Sequence, residues 1–368
     1  MISRDLKKLG PGVPFGSDKA RGLIRDAICD EDPSDSCADV LLAGGVAHCS
    51  VHVCALELEA RGHLTSADCA VFAIGAFDGV HLGHRALLDR AAAEATARGA
   101  RLVVVTFSPD PSRVLVGPAN DELLSCEKRV RMLHCAGAGT VTVINFTPEL
   151  ASLSYQRFVD DVLMGIGKVE AIVVGSDFKL GFKGAGNVAA LSELGASRGF
   201  DVIGMELADA EGLPITATRV RGLLDEGKVE LAADLLGRCH HVSGVVSHGR
   251  GEGTTFGFPT ANVEVDDGLK LPAEGVYACY VVVGGKAWPS AVNVGRPRTF
   301  EPGHEGAQFL EATLLGFEGD LYGAEVSVVF LRWLRRPRTF SSADELKATV
   351  LSNIGWVRAT LSSHCIDL

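Results

Sequence analysis

The sequence predicts a two-domain α/β protein, a helix-covered parallel sheet followed by a small antiparallel β-barrel. Three observations lead there. Short apolar runs alternate with helical stretches up to about residue 221, as strands and crossovers of a parallel sheet do. After about Gly237, strand-like runs divided by Gly and Pro take over. The chain has 368 residues, 47% hydrophobic and 22% charged, which is more than one ordinary core needs and too apolar for disorder.

Residues 1–67 read as an N-terminal extension. Met1 to Lys8 lacks the apolar core of a signal peptide. Val40 to Leu56 carries no Asp, Glu, Lys or Arg, but it is short and holds Gly44-Gly45, His48 and His52, so a buried element is expected rather than a membrane span. His48, Cys49, His52 and Cys54 are zinc-type ligands lying close together, yet their spacing fits no familiar zinc knuckle, and incidental residues of a buried element are the preferred reading. Ten scattered cysteines without a C-x-x-C predict reduced thiols of a cytoplasmic, soluble protein. The net charge of -11 argues against a nucleic-acid partner, and no membrane partner is expected.

The first domain is expected over 68–221. Ala70 to Gly75 reads as a buried strand, Arg85 to Ala97 as an Ala-rich helix, and Leu102–Phe107, Val141–Phe146 and Ala171–Val174 as further buried strands. Helices are expected over Glu127–His134 and Tyr155–Ile166. A connecting helix, Val220 to Leu236, falls mostly within a 222–239 linker. The barrel is expected over 240–361, with strands at Val242–Ser247, Gly275–Val283, Gln308–Phe317 and Glu325–Phe330, a closing helix Ser342–Leu361, and a tail 362–368.

The most informative stretch is Gly75-Ala-Phe-Asp-Gly-Val-His-Leu-Gly-His84, between a strand and a helix. There free backbone N–H groups and the helix dipole face an anion, and Gly lets the backbone approach. His81 and His84 are three residues apart, so one turn sets both imidazoles on one side, as donors to charge developing on a phosphate under attack. From this chain's His and Gly frequencies, a bare H-x-G-H arises by chance in about one such chain in 25, so its strand-loop-helix setting carries the weight. The alternative is two surface histidines on a loop.

In the second half, Gly249-Arg-Gly-Glu-Gly-Thr-Thr-Phe-Gly-Phe-Pro-Thr-Ala-Asn262 joins a Gly-rich loop to an extended end. Thr260 and Asn262 share a strand face, where a hydroxyl and an amide oxygen suit a hard cation such as Mg²⁺. Glu311 in Phe309-Leu-Glu-Ala-Thr-Leu-Leu315 suits a general base. The alternatives are satisfied polar groups at a strand edge and an exposed strand glutamate.

These strings resemble the bacterial bifunctional FAD synthetases, with an FMN adenylyltransferase domain of the H-x-G-H nucleotidyltransferase superfamily and a riboflavin kinase barrel. The resemblance runs from about Ala70 onward and includes Val105-Thr-Phe-Ser-Pro-Asp-Pro111, Val174-Gly-Ser-Asp-Phe178 with Gly186-Asn187, Thr216-Ala-Thr-Arg-Val-Arg221, Gly257-Phe-Pro-Thr-Ala-Asn262 and Gly319-Asp-Leu-Tyr-Gly323. It implies ATP, riboflavin, FMN and FAD as substrates or products, with Mg²⁺. It implies His81 and His84 at the adenylyl transition state and Glu311 as the kinase base. ATP contacts are implied for Gly75, Phe77, Asp78, Gly83, Thr218, Arg221, Gly249, Gly253, Thr260 and Asn262, the last two also holding the metal. Flavin contacts are implied for Phe107, Pro109, Asp177 and Asn187. For Asp177 a turn or cap role is the alternative, and Thr218 and Arg221 also read as a cap and a solvated helix residue.

The sequence departs from the family pattern at several positions. Ala217 replaces a Ser, and Lys179 an Arg. In Asn293-Val-Gly-Arg-Pro-Arg-Thr-Phe300 the Arg and Pro positions are exchanged; Thr254 replaces an Arg, Thr313 a His and Gly316 an Asp. A slower kinase is expected. The readings carried beside the bifunctional enzyme are an adenylyltransferase with a degenerate kinase and a non-catalytic flavin-binding regulator.

Overall fold

The computed structural model describes residues 2–9, 16–28, 39–41, 66–115, 117, 121–248, 260–295 and 309–368. The histidine–cysteine cluster at 48–54, the Gly-rich loop with Gly249, Gly253 and Thr254, and the exchanged Pro297 lie outside the described residues. The chain divides into two compact units, Glu31–Ala217 and, together, Met1–Asp30 with Thr218–Leu368.

The first thirty residues carry α1 (Ile2–Lys7) and α2 (Ser17–Ile28), which group with the C-terminal unit. Leu6, Leu9, Ile24 and Ala27 are buried in one cluster with Tyr280, Val329, Leu331, Val357 and Leu361. Each fully buried aliphatic side chain of this kind contributes about 1.5–3 kcal/mol. Arg332 donates to the carbonyls of Leu6, Lys7 and Leu9, satisfying acceptors that the end of α1 leaves open.

In the other unit six parallel strands form one sheet: β1 (Asp39–Leu41), β2 (Cys69–Ile74), β3 (Arg101–Ser108), β4 (Thr140–Asn145), β5 (Lys168–Gly175) and β6 (Asp201–Met205). Their order is β1-β4-β3-β2-β5-β6. Strands β2 to β5 read as largely apolar runs because their residues are buried on both faces. Phe72, Val105 and Ile172 face a cluster with Phe158, Val162 and Leu191, while α3 (Leu82–Arg98) buries Leu87, Leu88 and Ala91. Helix α3 ends at Gly99, whose φ of 60° is the left-handed conformation that glycine adopts without strain. The helices α4 (Pro111–Leu115), α5 (Cys126–Cys135) and α6 (Pro148–Ala151) follow. The helix expected over Tyr155–Ile166 is present but not uniform. It runs α7 (Tyr155–Arg157), a π-helical turn Phe158–Leu163 and α8 (Met164–Ile166), and the π turn holds the buried Phe158, Val159, Val162 and Leu163. Then come α9 (Val188–Arg198) and a small hairpin of β7 (Asp209–Ala210) and β8 (Leu213–Pro214).

The single helix expected over Val220–Leu236 is two: α10 (Ala217–Asp225) and α11 (Val229–Leu236). Gly227 between them has φ 72°, and a Cβ there would lie 2.9 Å from the Trp333 ring, so the chain turns where only glycine fits. Six antiparallel strands then close a barrel: β9 (His241–Ser247), β10 (Ala261–Val265), β11 (Gly275–Val283), β12 (Lys286–Gly295), β13 (Phe309–Leu314) and β14 (Glu325–Arg335). The order is β11-β14-β9-β10-β13-β12, and β12 pairs back to β11. Helix α12 (Ala343–Leu361), capped by Ser342, and β15 (Ile366–Asp367) on β12 finish the chain. Cys69, Cys126, Cys239, Cys279 and Cys365 are free thiols as expected, whereas Cys135 is disulfide-bonded.

Candidate active sites

In the sheet unit the chain runs from β2 outward through β3 and β4, then returns to the far side of β2 with β5. The strand order thus reverses between β2 and β5, and open parallel sheets bind ligands beyond the strand ends at such a reversal. The H-x-G-H loop follows β2 at this point. Its backbone is unusual: Phe77, Gly79 and Val80 have φ of 52°, 76° and 37°. Two of these are not glycine, and such conformations persist only where the surroundings impose them. Asp78 supplies part of that constraint. It is buried, and its carboxylate accepts from the N–H of Leu123 (2.8 and 3.1 Å) and Leu124 (3.3 Å). Asp78 therefore holds the loop to the segment before α5.

His81 caps α3. Its Nδ1 accepts from the His84 N–H at 3.2 Å, a role more often filled by Ser, Thr, Asp or Asn. That bond leaves Nε2 as the donor of the neutral ring. The two imidazoles stack, with centroids 3.6 Å apart and planes 15° apart. Phe77, buried, meets the His84 ring edge-on at 5.1 Å, and a Cβ on Gly75 would lie 3.3 Å from the Phe77 ring. At Gly83 a Cβ would sit 3.2 Å from both the His81 ring and the Ile215 carbonyl. The glycines of the motif thus make room for its own rings and for Ile215. In α10, Thr218 is exposed and Arg221 half-buried.

Phe107 and Pro109 lie at the end of β3. The Phe107 ring belongs to the core, edge-on to Phe146 at 5.6 Å and tilted to Phe158 at 6.3 Å, so packing already engages its side chain. Asp177 is exposed just past the end of β5 and accepts no hydrogen bond among the described residues. Asn187 is exposed and caps α9, its Oδ1 accepting from Ala190 N–H at 2.9 Å, which leaves its amide NH₂ unengaged by the cap. A Cβ on Gly186 would lie 2.4 Å from the Tyr155 Cβ, which accounts for that glycine before Asn187.

In the barrel, Thr260 donates to Glu311 Oε1 at 2.7 Å. Strand register then builds a row. Glu311 on β13 pairs with Asn262 on β10 and with Asn293 on β12, and Asn262 pairs with Ser247 on β9. Directly paired residues point to the same face, so a carboxylate, two amides and a hydroxyl lie side by side. All four are half-buried, while Leu310 and Ala312 flanking Glu311 are fully buried. Thr313, where the resemblance leads one to expect His, shares Glu311's face two residues on. His248, the last described residue before the Gly-rich loop, lies ring against ring with Tyr322 at 3.8 Å.

Residues 64–219 match the FAD synthetase family, and residues 236–361 match the riboflavin kinase family. The chain is 35% identical over 291 residues to the bifunctional riboflavin kinase/FMN adenylyltransferase of Pseudomonas fluorescens, covering 78% of this chain and 92% of that protein. The chain belongs to this family. The Escherichia coli (strain K12) member is 36% identical over 282 residues, covering 76% of this chain and 89% of that one. A crystal structure described as a macrolide-efflux protein from Streptococcus pneumoniae superposes with a TM-score of 0.72 at 28% identity, covering 79% of this chain and 94% of that chain. Among the described residues no helix is long and apolar enough to cross a membrane.

Sequence reading missed two groups of residues around the candidate sites. Ser247 and Asn293 join the Glu311 row only through strand register. Glu122 and Arg129, buried behind the end of β3, gave no local pattern at all.

Proposed function

We infer that the protein makes FAD from riboflavin in two ATP-dependent steps in the cytoplasm. At the barrel, Glu311 takes the proton from a riboflavin hydroxyl as that oxygen attacks the γ-phosphate of ATP, giving FMN and ADP. Thr260 donates its proton to Glu311 Oε1 and so orients the carboxylate, with Oε2 left to the substrate. The same bond leaves the Thr260 oxygen lone pairs free to accept. With Asn262 beside it, the hydroxyl and amide oxygens form a hard donor pair that fits Mg²⁺. Bound there, Mg²⁺ would neutralise phosphate charge.

At the sheet, a phosphate oxygen of FMN attacks the α-phosphate of ATP, and pyrophosphate leaves. The nucleophile is already anionic, so positioning and charge stabilisation carry the step. His81, through Nε2–H, and His84 face the reacting phosphate at the N-terminus of α3, and the loop's backbone N–H groups add to the cradle. Phe107, Pro109, Asp177 and Asn187 form the flavin side in this reading, the first through its backbone.

The observation that carries the reading is the stacked, capped histidine pair at the strand-order reversal. The test is a time course with riboflavin, ATP and Mg²⁺, separating flavins by chromatography. FMN followed by FAD is expected. Added FMN converted while riboflavin stays unchanged would leave an adenylyltransferase with a degenerate kinase.

A further inference from the structure

The run Glu122-Leu123-Leu124 is fastened on two sides. On one side its N–H groups hold Asp78 of the H-x-G-H loop. On the other, Glu122 Oε1 accepts from Asp110 N–H at 3.1 Å, with Arg113 Nη1 at 3.8 Å. Glu122 Oε2 faces Arg129 Nη1 at 3.7 Å, and Arg129 Nη2 donates to the Phe107 carbonyl at 2.6 Å. Arg129 is fully buried and Glu122 nearly so. The circuit Phe107–Arg129–Glu122–Asp110 thus grips by its backbone the stretch that contains Pro109, at both ends. Asp110 is itself locked, its Oδ1 accepting from Ser112 N–H at 2.8 Å and Ser112 Oγ at 2.6 Å.

A buried ion pair gives a fold little that a well-packed apolar pair would not. What this one provides is place: it sets the end of β3 against the run that also restrains the H-x-G-H loop. We propose that Arg129, with Glu122, is a positioning residue for the adenylyl transfer, holding the flavin side of the site in register with the phosphate loop. Neither residue touches substrate. The proposal rests on the placement of FMN against Phe107 and Pro109 given above.

The test uses the full chain, with riboflavin phosphorylation on the barrel as the internal control. Arg129→Met removes both contacts. Arg129→Lys keeps the charge opposite Glu122 but loses the fork that reaches two acceptors at once. Arg129→Met is expected to raise KM for FMN about 10-fold, Arg129→Lys about 3-fold, with KM for ATP within about 2-fold of wild type. Equal changes for FMN and ATP, or a fall in kcat alone, would mean a merely structural role and overturn the proposal. Should Arg129→Met not fold, Arg129→Lys decides alone. Asp177→Ala separates the two layers of the argument. If it raises KM for FMN while the Arg129 variants do not, the flavin placement stands and the positioning role falls. If none of the variants moves KM for FMN, the placement itself falls.

Discussion

The two sites are built by opposite means. The sheet site is made of backbone: a loop with three residues at positive φ, a helix capped by its own histidine, and glycines that admit neighbouring rings. The barrel site is made of side chains set in a row by strand pairing, with Thr260 and Glu311, far apart in sequence, joined by one hydrogen bond. A loop site depends on whatever imposes its conformation, whereas a strand site inherits its geometry from the ladder. The first is therefore vulnerable at residues behind it, the second mainly at the residues in the row.

Substitutions divide the two most sharply. Glu311→Gln is expected to slow riboflavin phosphorylation by about 10²–10⁴-fold while added FMN still becomes FAD at the wild-type rate. His81→Ala is expected to slow FAD formation by about 10²–10³-fold and leave FMN accumulating. A flavin chromatogram reads both, and a loss of both activities in either variant would break the comparison.

In the barrel unit, acid acts through one buried histidine. Burial pushes His240 down to about 4 from 6.5, while its Nε2 stays bonded to the Lys270 carbonyl at 2.9 Å. The folded value lies below the unfolded one, so the unfolded chain binds the proton first as pH falls. Stability from this group is full above pH 6.5, is lost between 6.5 and about 4, and levels off below. The loss is on the order of 3 kcal/mol. Urea midpoints at pH 7 and pH 4.5 should differ less in His240→Gln, which keeps a donor to Lys270 but does not titrate.

Asp78→Ala comes next. It leaves two buried N–H groups without their carboxylate, at about 1–3 kcal/mol each, and is expected to slow FAD formation about 10-fold through the loosened loop. Kinase rate in the same preparation should hold. The smallest effect is Thr313→His, expected to raise kinase turnover by a few-fold, roughly 3-fold, by placing an imidazole on the face of Glu311. No gain would mean that the departure at Thr313 does not limit the kinase.

Local signals made the sheet unit legible. Buried parallel strands are continuous apolar runs, and β2 through β5 each fall within a few residues of the expected span. The His81–His84 pair was readable because its geometry is set within one helical turn. The Gly227 break was hidden because its cause is a tryptophan from β14. Strand β10 was read only as an extended end at Thr260–Asn262, and β12 was not read, since it carries Pro289 amid small residues. The Glu311 row and the Glu122–Arg129 pair depend on register and burial, which no local window contains. Helices α1 and α2 were missed because short mixed segments become helical only against a face supplied by the far end of the chain.

That last feature has a temporal side. The sheet unit is an insertion, 31–217, within the other unit. On the ribosome α1 and α2 emerge first, yet the surface they cover is assembled only from residues after Thr218. The last of that surface, Val357 and Leu361, lies more than 300 residues further on, so at ordinary synthesis rates they wait roughly 15–65 s for it. During that interval the inserted unit can complete its own core, so the protein is built from the middle outward.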